Sequence, residues 1–191
     1  MSHLIKMVSQ LVPGNEAMLE LAEKYIKPRS LQKNDYILHA GDVCGRITLV
    51  CKGACYMYRN KDGKEEVVEF YLEGMLCSDY ISFIRQTPAD NSIRTLEDCE
   101  VEQISYDDLH YLYDTMLPIE RVGRIITESL FCGIVKRMLS YQNDSPEVRY
   151  QKLIRDRPVL FQRVPQYLIA SFLGVTPVGL SKIRKRLHDN V

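Results

Sequence analysis

The sequence predicts an α+β chain in three parts: a β-rich sandwich or barrel, one long helix, and a helix-turn-helix near the C-terminal end. Three observations carry this. From about residue 35 to residue 106, apolar residues recur with a period of two in short runs separated by Gly or Asp. From Pro118 to about Tyr141 the period becomes helical and stays so for about 36 Å at 1.5 Å per residue. Finally, "IASFLGVTPVGLSKIRKRL" (169–187) is an apolar helix that stops at a glycine and resumes as a basic one.

The elements follow in order. "NEAMLELAEKYIKP" places Met18, Leu19, Ala22, Tyr25 and Ile26 at helical spacing and stops at Pro28. "DYILHA", "RITLVCKG", "ACYMYRN", "EEVVEFYL", "SIRTLE" and "CEVEQISY" are short runs rich in β-branched and aromatic residues. "YRNKDGKEEVVEF" reads as a hairpin turning at Asp62-Gly63. "YDDLHYLYDTM" predicts a short helix.

The long helix has two apolar faces, Ile119, Ile126, Leu130 and Ile134 on one and Ile125, Cys132, Val135 and Leu139 on the other. One face can cover the sandwich. The other calls for self-association or for a second buried contact within the same chain. "NDSP" (143–146) reads as a hinge, and "PEVRYQKLIRDR" as the helix after it.

Gly174 stands where a helix ends in a left-handed turn, which glycine enters without a Cβ penalty. Thr176 is placed to cap the next helix and Pro177 to occupy its first position. The two helices then run from Pro165 to Leu173 and from Pro177 to about His188. Ile169, Leu173, Val175, Leu180, Ile183 and Leu187 turn to a core, while Val178, Ser181, Lys182 and Lys185 point away from it. Such a second helix can enter a DNA major groove; an αα-corner with no DNA role is the other reading.

Charge supports the first reading. The 191 residues have a formal net charge of zero, but residues 149–191 hold nine Lys or Arg against two Asp, a net of +7, leaving −7 on the rest. A basic tail on an acidic body suits a partner with phosphates. The 46% hydrophobic and 26% charged content is that of a soluble globular protein. No apolar run approaches the roughly 20 residues needed to span a bilayer, and no signal-peptide pattern begins the chain, so a cytoplasmic protein with no membrane partner is expected.

The six cysteines are scattered, without CxxC pairs or zinc-type spacing to histidine. They read as reduced, mostly buried thiols, or alternatively as a redox or metal sensor using Cys51 and Cys55 on one strand face. Histidines 3, 39, 110 and 188 form no constellation. With no nucleophile–base pair, metal cluster, P-loop or Rossmann glycine pattern, no catalytic or metal residue is assigned and no enzyme is expected.

The order of these parts, with "RVPQYLIASFLGVTPVGLSKIRK" and the "GD…KG…DGKE…YLEG" series, resembles the Crp/Fnr family of bacterial transcription regulators. The resemblance implies a cyclic-nucleotide-binding-like jelly-roll β-barrel sensor over 1–117, a dimerisation helix and hinge over 118–143, and a winged-helix-type helix-turn-helix over 144–191. It further implies a homodimer formed through the helix near 118–141, with double-stranded DNA and RNA polymerase as candidate partners. Thr176, Pro177, Val178, Ser181, Lys182 and Lys185 are the DNA-binding candidates. Lys182 is placed for guanine and Val178 for a thymine methyl, with Thr176, Ser181 and Lys185 nearer phosphates.

Two departures from the family limit what carries over. Relatives that bind cyclic AMP use a Gly-Glu pair and an Arg-Ser or Arg-Thr pair; the matching positions here are Ser78-Asp79 and Asn91-Ser92. Without that arginine no bidentate contact neutralises a phosphate, so cyclic AMP is not the expected ligand and no cofactor is assigned. The same four residues remain the candidate ligand set for another effector, and Arg85 and Arg94 lie at spacings that do not favour substitution. The second departure is the replacement of polar base readers by Pro177 and Val178. It keeps open a regulatory module that binds a ligand and acts through protein contacts without DNA.

Overall fold

Strands form at each of the six period-two runs, and two further strands join them. The computed structural model, which describes residues 1–189, contains β1 Lys27–Leu31, β2 Tyr36–Leu38, β3 Arg46–Lys52, β4 Cys55–Lys61, β5 Lys64–Tyr71, β6 Leu76–Cys77, β7 Ser92–Thr95 and β8 Cys99–Ser105. They build two four-stranded sheets, ordered β1-β8-β3-β6 and β2-β7-β4-β5. The expected barrel is therefore a two-sheet sandwich. Its end strands β2 and β6 are three and two residues long, too short to carry a hydrogen-bonded ladder round the corner. The sheets meet instead through side chains: Leu38, Val50, Cys55, Met57, Tyr71, Cys77 and Ile93 are buried together. β1 escapes the alternation rule because it is an edge strand, exposed at four of five residues, where Pro28 opposite Glu102 is tolerated.

The β4–β5 hairpin turns where expected. Asp62 and Gly63 have φ of +53° and +77°, the pair of positive values that a type I′ turn requires.

A second core lies against the other face of the β8-containing sheet. Leu4, Ile5 and Val8 of α1 (His3–Leu11) and Leu19 and Ala22 of α2 (Glu16–Glu23) join Leu49 and Ile104 there. Leu112 of α4 (Tyr106–Thr115) and Ile119 and Val122 of α5 (Leu117–Asn143) complete it. A short helix, α3 (Tyr80–Arg85), lies between β6 and β7. No described helix is long and apolar enough to cross a membrane.

The expected two faces of α5 divide differently. Ile119 and Val122 are buried and Ile126 packs on the core, whereas Leu130, Phe131, Ile134, Met138 and Leu139 are 43–66% exposed. The split runs along the helix, not around it, because only its first half lies on the α1–α4 core.

By its contacts the chain divides into two units: Met1–Met57 with Phe70–Ser129, and Tyr58–Glu69 with everything from Leu130 onward. The second unit contains the hairpin tip, the second half of α5, α6 (Pro146–Asp156), α7 (Leu160–Arg163), α8 (Gln166–Phe172) and α9 (Pro177–Asp189). The expected hinge is short. Only Asp144 and Ser145 separate α5 from α6, and the Asp144 carboxylate accepts from Lys152 at 2.6 Å and from Ser140. These hydrogen bonds, Lys152 first, hold its carboxyl below the usual carboxylate range. Ser145 caps α6 and Pro146 begins it.

The expected wing is not found among the described residues, where no strand follows β8. Its nearest opportunity, "RPVLFQR" (157–163), has neither alternation nor a two-residue turn signal, and its last four residues fold as α7.

Within this unit Glu69 is held by two guanidinium groups, Arg137 at 2.5 Å and Arg157 at 2.8 Å, and Arg137 also donates to the Val68 carbonyl at 2.9 Å. Ser171 accepts from the Val67 N–H at 2.9 Å and donates to the Glu65 carbonyl at 3.0 Å. These contacts cover the edge of β5, whose outward groups would otherwise lack strand partners.

Candidate functional site

The four candidate ligand residues fall in one neighbourhood, each already bonded within the protein. Asp79 is 5% exposed and caps α3, its Oδ1 accepting from the Ser82 N–H at 3.2 Å. Its Oδ2 accepts from the Asn91 side-chain amide at 2.8 Å, which joins the two halves of the candidate set. Ser78 Oγ lies 3.3 Å from Cys44 Sγ, and Ser92 Oγ accepts from the Ala40 N–H at 3.0 Å. A buried carboxylate at the centre makes this neighbourhood unfriendly to an anion.

Of the two arginines, one is occupied elsewhere and the other lies open to solvent. Arg94 donates to the Tyr56 hydroxyl and lies over the Tyr36 and Tyr56 rings, 5.8 and 5.4 Å from their centroids. Arg85 is exposed in the last turn of α3.

The same neighbourhood touches α5. The Tyr80 hydroxyl, in the first turn of α3, is 3.0 Å from Thr127 Oγ1. Tyr113 lies under α5 where Gly123 leaves room; a Cβ there would come within 2.4 Å of the Tyr113 oxygen. Burial, with the nearby Tyr80, pushes the Tyr113 hydroxyl up to about 12.

In the second unit, α8 and α9 meet at Gly174 (φ +70°). The Val175 N–H returns to the Ala170 carbonyl at 3.0 Å and the Gly174 N–H to that of Ser171 at 2.9 Å, closing the end of α8. Two side chains take its remaining carbonyls: Tyr141 donates to Phe172, and Arg149 to Leu173 at 3.0 Å. Thr176 Oγ1 accepts from the Gly179 N–H at 3.0 Å, and Pro177 opens α9. Ile169, Ala170, Leu173, Leu180 and Ile183 are buried. Val178 is 66% exposed, and Ser181, Lys182 and Lys185 are exposed beside it. Among the described residues no carboxylate pairs with Lys182 or Lys185, whereas Arg186 pairs with Glu147 at 3.1 Å.

The cysteine expectation needs correction. Cys51 and Cys55 do not share a strand: Cys51 is the last but one residue of β3 and Cys55 begins β4, with the turn at Gly53 between them. Cys55 pairs with Cys77 at 3.8 Å, where burial and then this contact raise the Cys77 thiol well above its ordinary range. Cys51 lies near His3 and Glu102, so the histidines are not all solitary, and burial and then the Glu102 charge push its thiol up to about 11. The side chain of His188 lies outside the described residues.

Residues 28–116 match the cyclic nucleotide-binding domain. FixK2 from Bradyrhizobium japonicum has a similar structure, with a TM-score of 0.74 at 15% identity over 86% of this chain and 85% of that one. The two chains share a fold.

Other solved structures share this fold at similar distance. The c-di-GMP responsive global regulator CLP of Xanthomonas campestris gives a TM-score of 0.66 at 19% identity, over 92% of this chain and 93% of that one. A CooA mutant from Carboxydothermus hydrogenoformans gives 0.68 at 13% identity, over 95% and 83%. No curated protein sequence matches the chain.

Proposed function

We propose that the chain is a dimeric, sequence-specific DNA-binding transcription regulator whose β-domain senses a signal other than cyclic AMP. The observation that carries this reading is α9: a capped helix, anchored by Leu180 and Ile183, that offers Val178, Ser181, Lys182 and Lys185 to solvent without ion-pair partners among the described residues. In a helix-turn-helix the start of such a helix enters the major groove, with Val178 and Lys182 at base edges and Thr176, Ser181 and Lys185 nearer the phosphates.

The exposed apolar residues of α5, from Leu130 to Leu139, are the dimer contact in this reading, and cytoplasmic DNA with RNA polymerase nearby is the setting. The ligand neighbourhood of Ser78, Asp79, Asn91 and Ser92 takes an uncharged or cationic effector in preference to a phosphate, since Asp79 supplies the charge. Tyr80 and Thr127 link it to α5, so an effector that shifts α3 shifts the dimer helix.

The test is selection of duplexes from a random library by the purified protein at physiological salt without added ligand. Enrichment of a near-palindrome, with half-sites about 34 Å apart, supports a dimeric regulator. No enrichment, with or without cell extract, favours a module acting through protein contacts.

A further inference from the structure

We infer that His3, Cys51 and Glu102 form a mononuclear site for a divalent metal of the zinc class, joining α1 to the β3–β8 sheet. The three residues come from the start of α1, the end of β3 and the middle of β8. One ligand atom of each lies within 4.8 Å of the others. His3 Nδ1 is 3.4 Å from Glu102 Oε1.

Register explains the convergence. Leu49 is opposite Glu102 in the β3–β8 ladder, and Cys51 stands two residues beyond Leu49 on the same face, at the point where the register shifts between Val50 and Lys52. The sheet thus sets the thiol and the carboxylate as diagonal neighbours, and α1 brings the imidazole over them.

The donor chemistry is selective. A thiolate, an imidazole and a carboxylate together suit zinc and its borderline neighbours better than magnesium or calcium, which prefer all-oxygen shells. Metal–ligand distances of about 2.0–2.3 Å require the donors to draw somewhat closer than they stand. His3 can supply that movement, its side chain being 63% exposed while that of Glu102 is 10% exposed.

Glu102 is already aimed. Its Oε1 accepts from the His3 N–H at 2.9 Å and its Oε2 from the Leu4 N–H at 2.7 Å. Each carboxylate oxygen retains a second acceptor position, and the two amide bonds fix its orientation as outer-shell partners do at metal sites. Three protein ligands with an exposed histidine leave a fourth position for water or an incoming donor, an open site. On binding, the metal–sulfur bond forms as the Cys51 S–H breaks, and the proton passes to solvent.

The experiment uses the full chain stripped of metal, with cobalt(II) as the probe. One cobalt per chain, with a thiolate-to-cobalt charge-transfer band that zinc abolishes, is expected in the wild type and equally in Cys132→Ser, which removes the exposed thiol. Cys51→Ser should lose the band, and His3→Ala should weaken binding at least about tenfold. Circular dichroism establishes that each variant folds; His3, exposed at the surface, decides the matter if Cys51→Ser does not. The proposal is overturned by the absence of a thiolate band, by a band that follows Cys132 instead of Cys51, or by unchanged affinity in His3→Ala.

Discussion

The hydroxyl of Ser171 accepts a hydrogen bond from the Val67 N–H at 2.9 Å, joining α8 to the free edge of β5 across 104 residues of sequence. It donates in turn to the Glu65 carbonyl, so one side chain satisfies a donor and an acceptor of an unpaired strand edge. Ser171→Ala leaves both backbone groups without this partner. It should lower stability by about 1–3 kcal/mol and speed hydrogen exchange at the Val67 amide. Unaltered exchange there would refute the bridge.

Gly174 should resist substitution for a conformational reason. An added Cβ meets only Tyr141 at 3.6 Å and Arg149 at 3.9 Å, ordinary contact distances, so space is available. The φ of +70° is the obstacle. Gly174→Ala should cost about 1–2 kcal/mol in denaturant unfolding, with more for a β-branched residue such as valine. A neutral Gly174→Val would mean that the turn does not hold this conformation.

Tyr113 makes the β-domain sensitive to alkali. Its folded pKa, raised to about 12, exceeds the unfolded value of about 10, so between these the folded state binds more protons. Stability from this group is complete below about pH 10 and is lost as pH rises towards 12. Tyr113→Phe should therefore remove part of the alkaline destabilisation, seen by comparing urea midpoints at about pH 9 and about pH 11.5. Parallel losses in wild type and variant would place the titration elsewhere.

Cyclic AMP should not stabilise the protein. Asp79 is a buried carboxylate bonded to the Ser82 N–H and the Asn91 amide, and Arg94 is held over two tyrosine rings. The expected result is an unchanged melting temperature at millimolar nucleotide. A rise that is lost in Asn91→Ala would reverse the assignment.

Lys182→Ala should weaken DNA binding by about 1–3 kcal/mol and relax preference at one base pair of each half-site. Lys185→Ala should weaken all sequences alike and shallow the salt dependence by about one phosphate, a log–log slope change near 0.9. Measuring both variants on the selected and a scrambled duplex separates base reading from backbone attraction.

Much of this fold was readable from local pattern. Six strands, the Asp62–Gly63 turn and the helix break at Gly174 all rest on signals a few residues long. β1 and β6 were not readable, one being an exposed edge with a proline inside it and the other two residues long. α1 carries a local signal too: Ser2 caps it, and Leu4, Ile5 and Val8 form its apolar stripe.

The site was less legible because its defining contacts are non-local. Ser78, Asp79, Asn91 and Ser92 could be nominated from sequence, but not the bond from Asn91 to Asp79 that ties the set together. Glu69 gathers Arg137 and Arg157 from 68 and 88 residues away. No spacing rule spans such intervals.

The membership of the hairpin tip in the C-terminal unit sets a timetable for synthesis. Val67 leaves the ribosome 104 residues ahead of Ser171, an interval of roughly 5–20 s at about 5–20 residues per second. Throughout that wait β5 is a naked template for a neighbouring nascent chain. Lys64, Glu65, Glu66 and Glu69 then act as its guards, spacing charges along the strand until α8 arrives to close the edge.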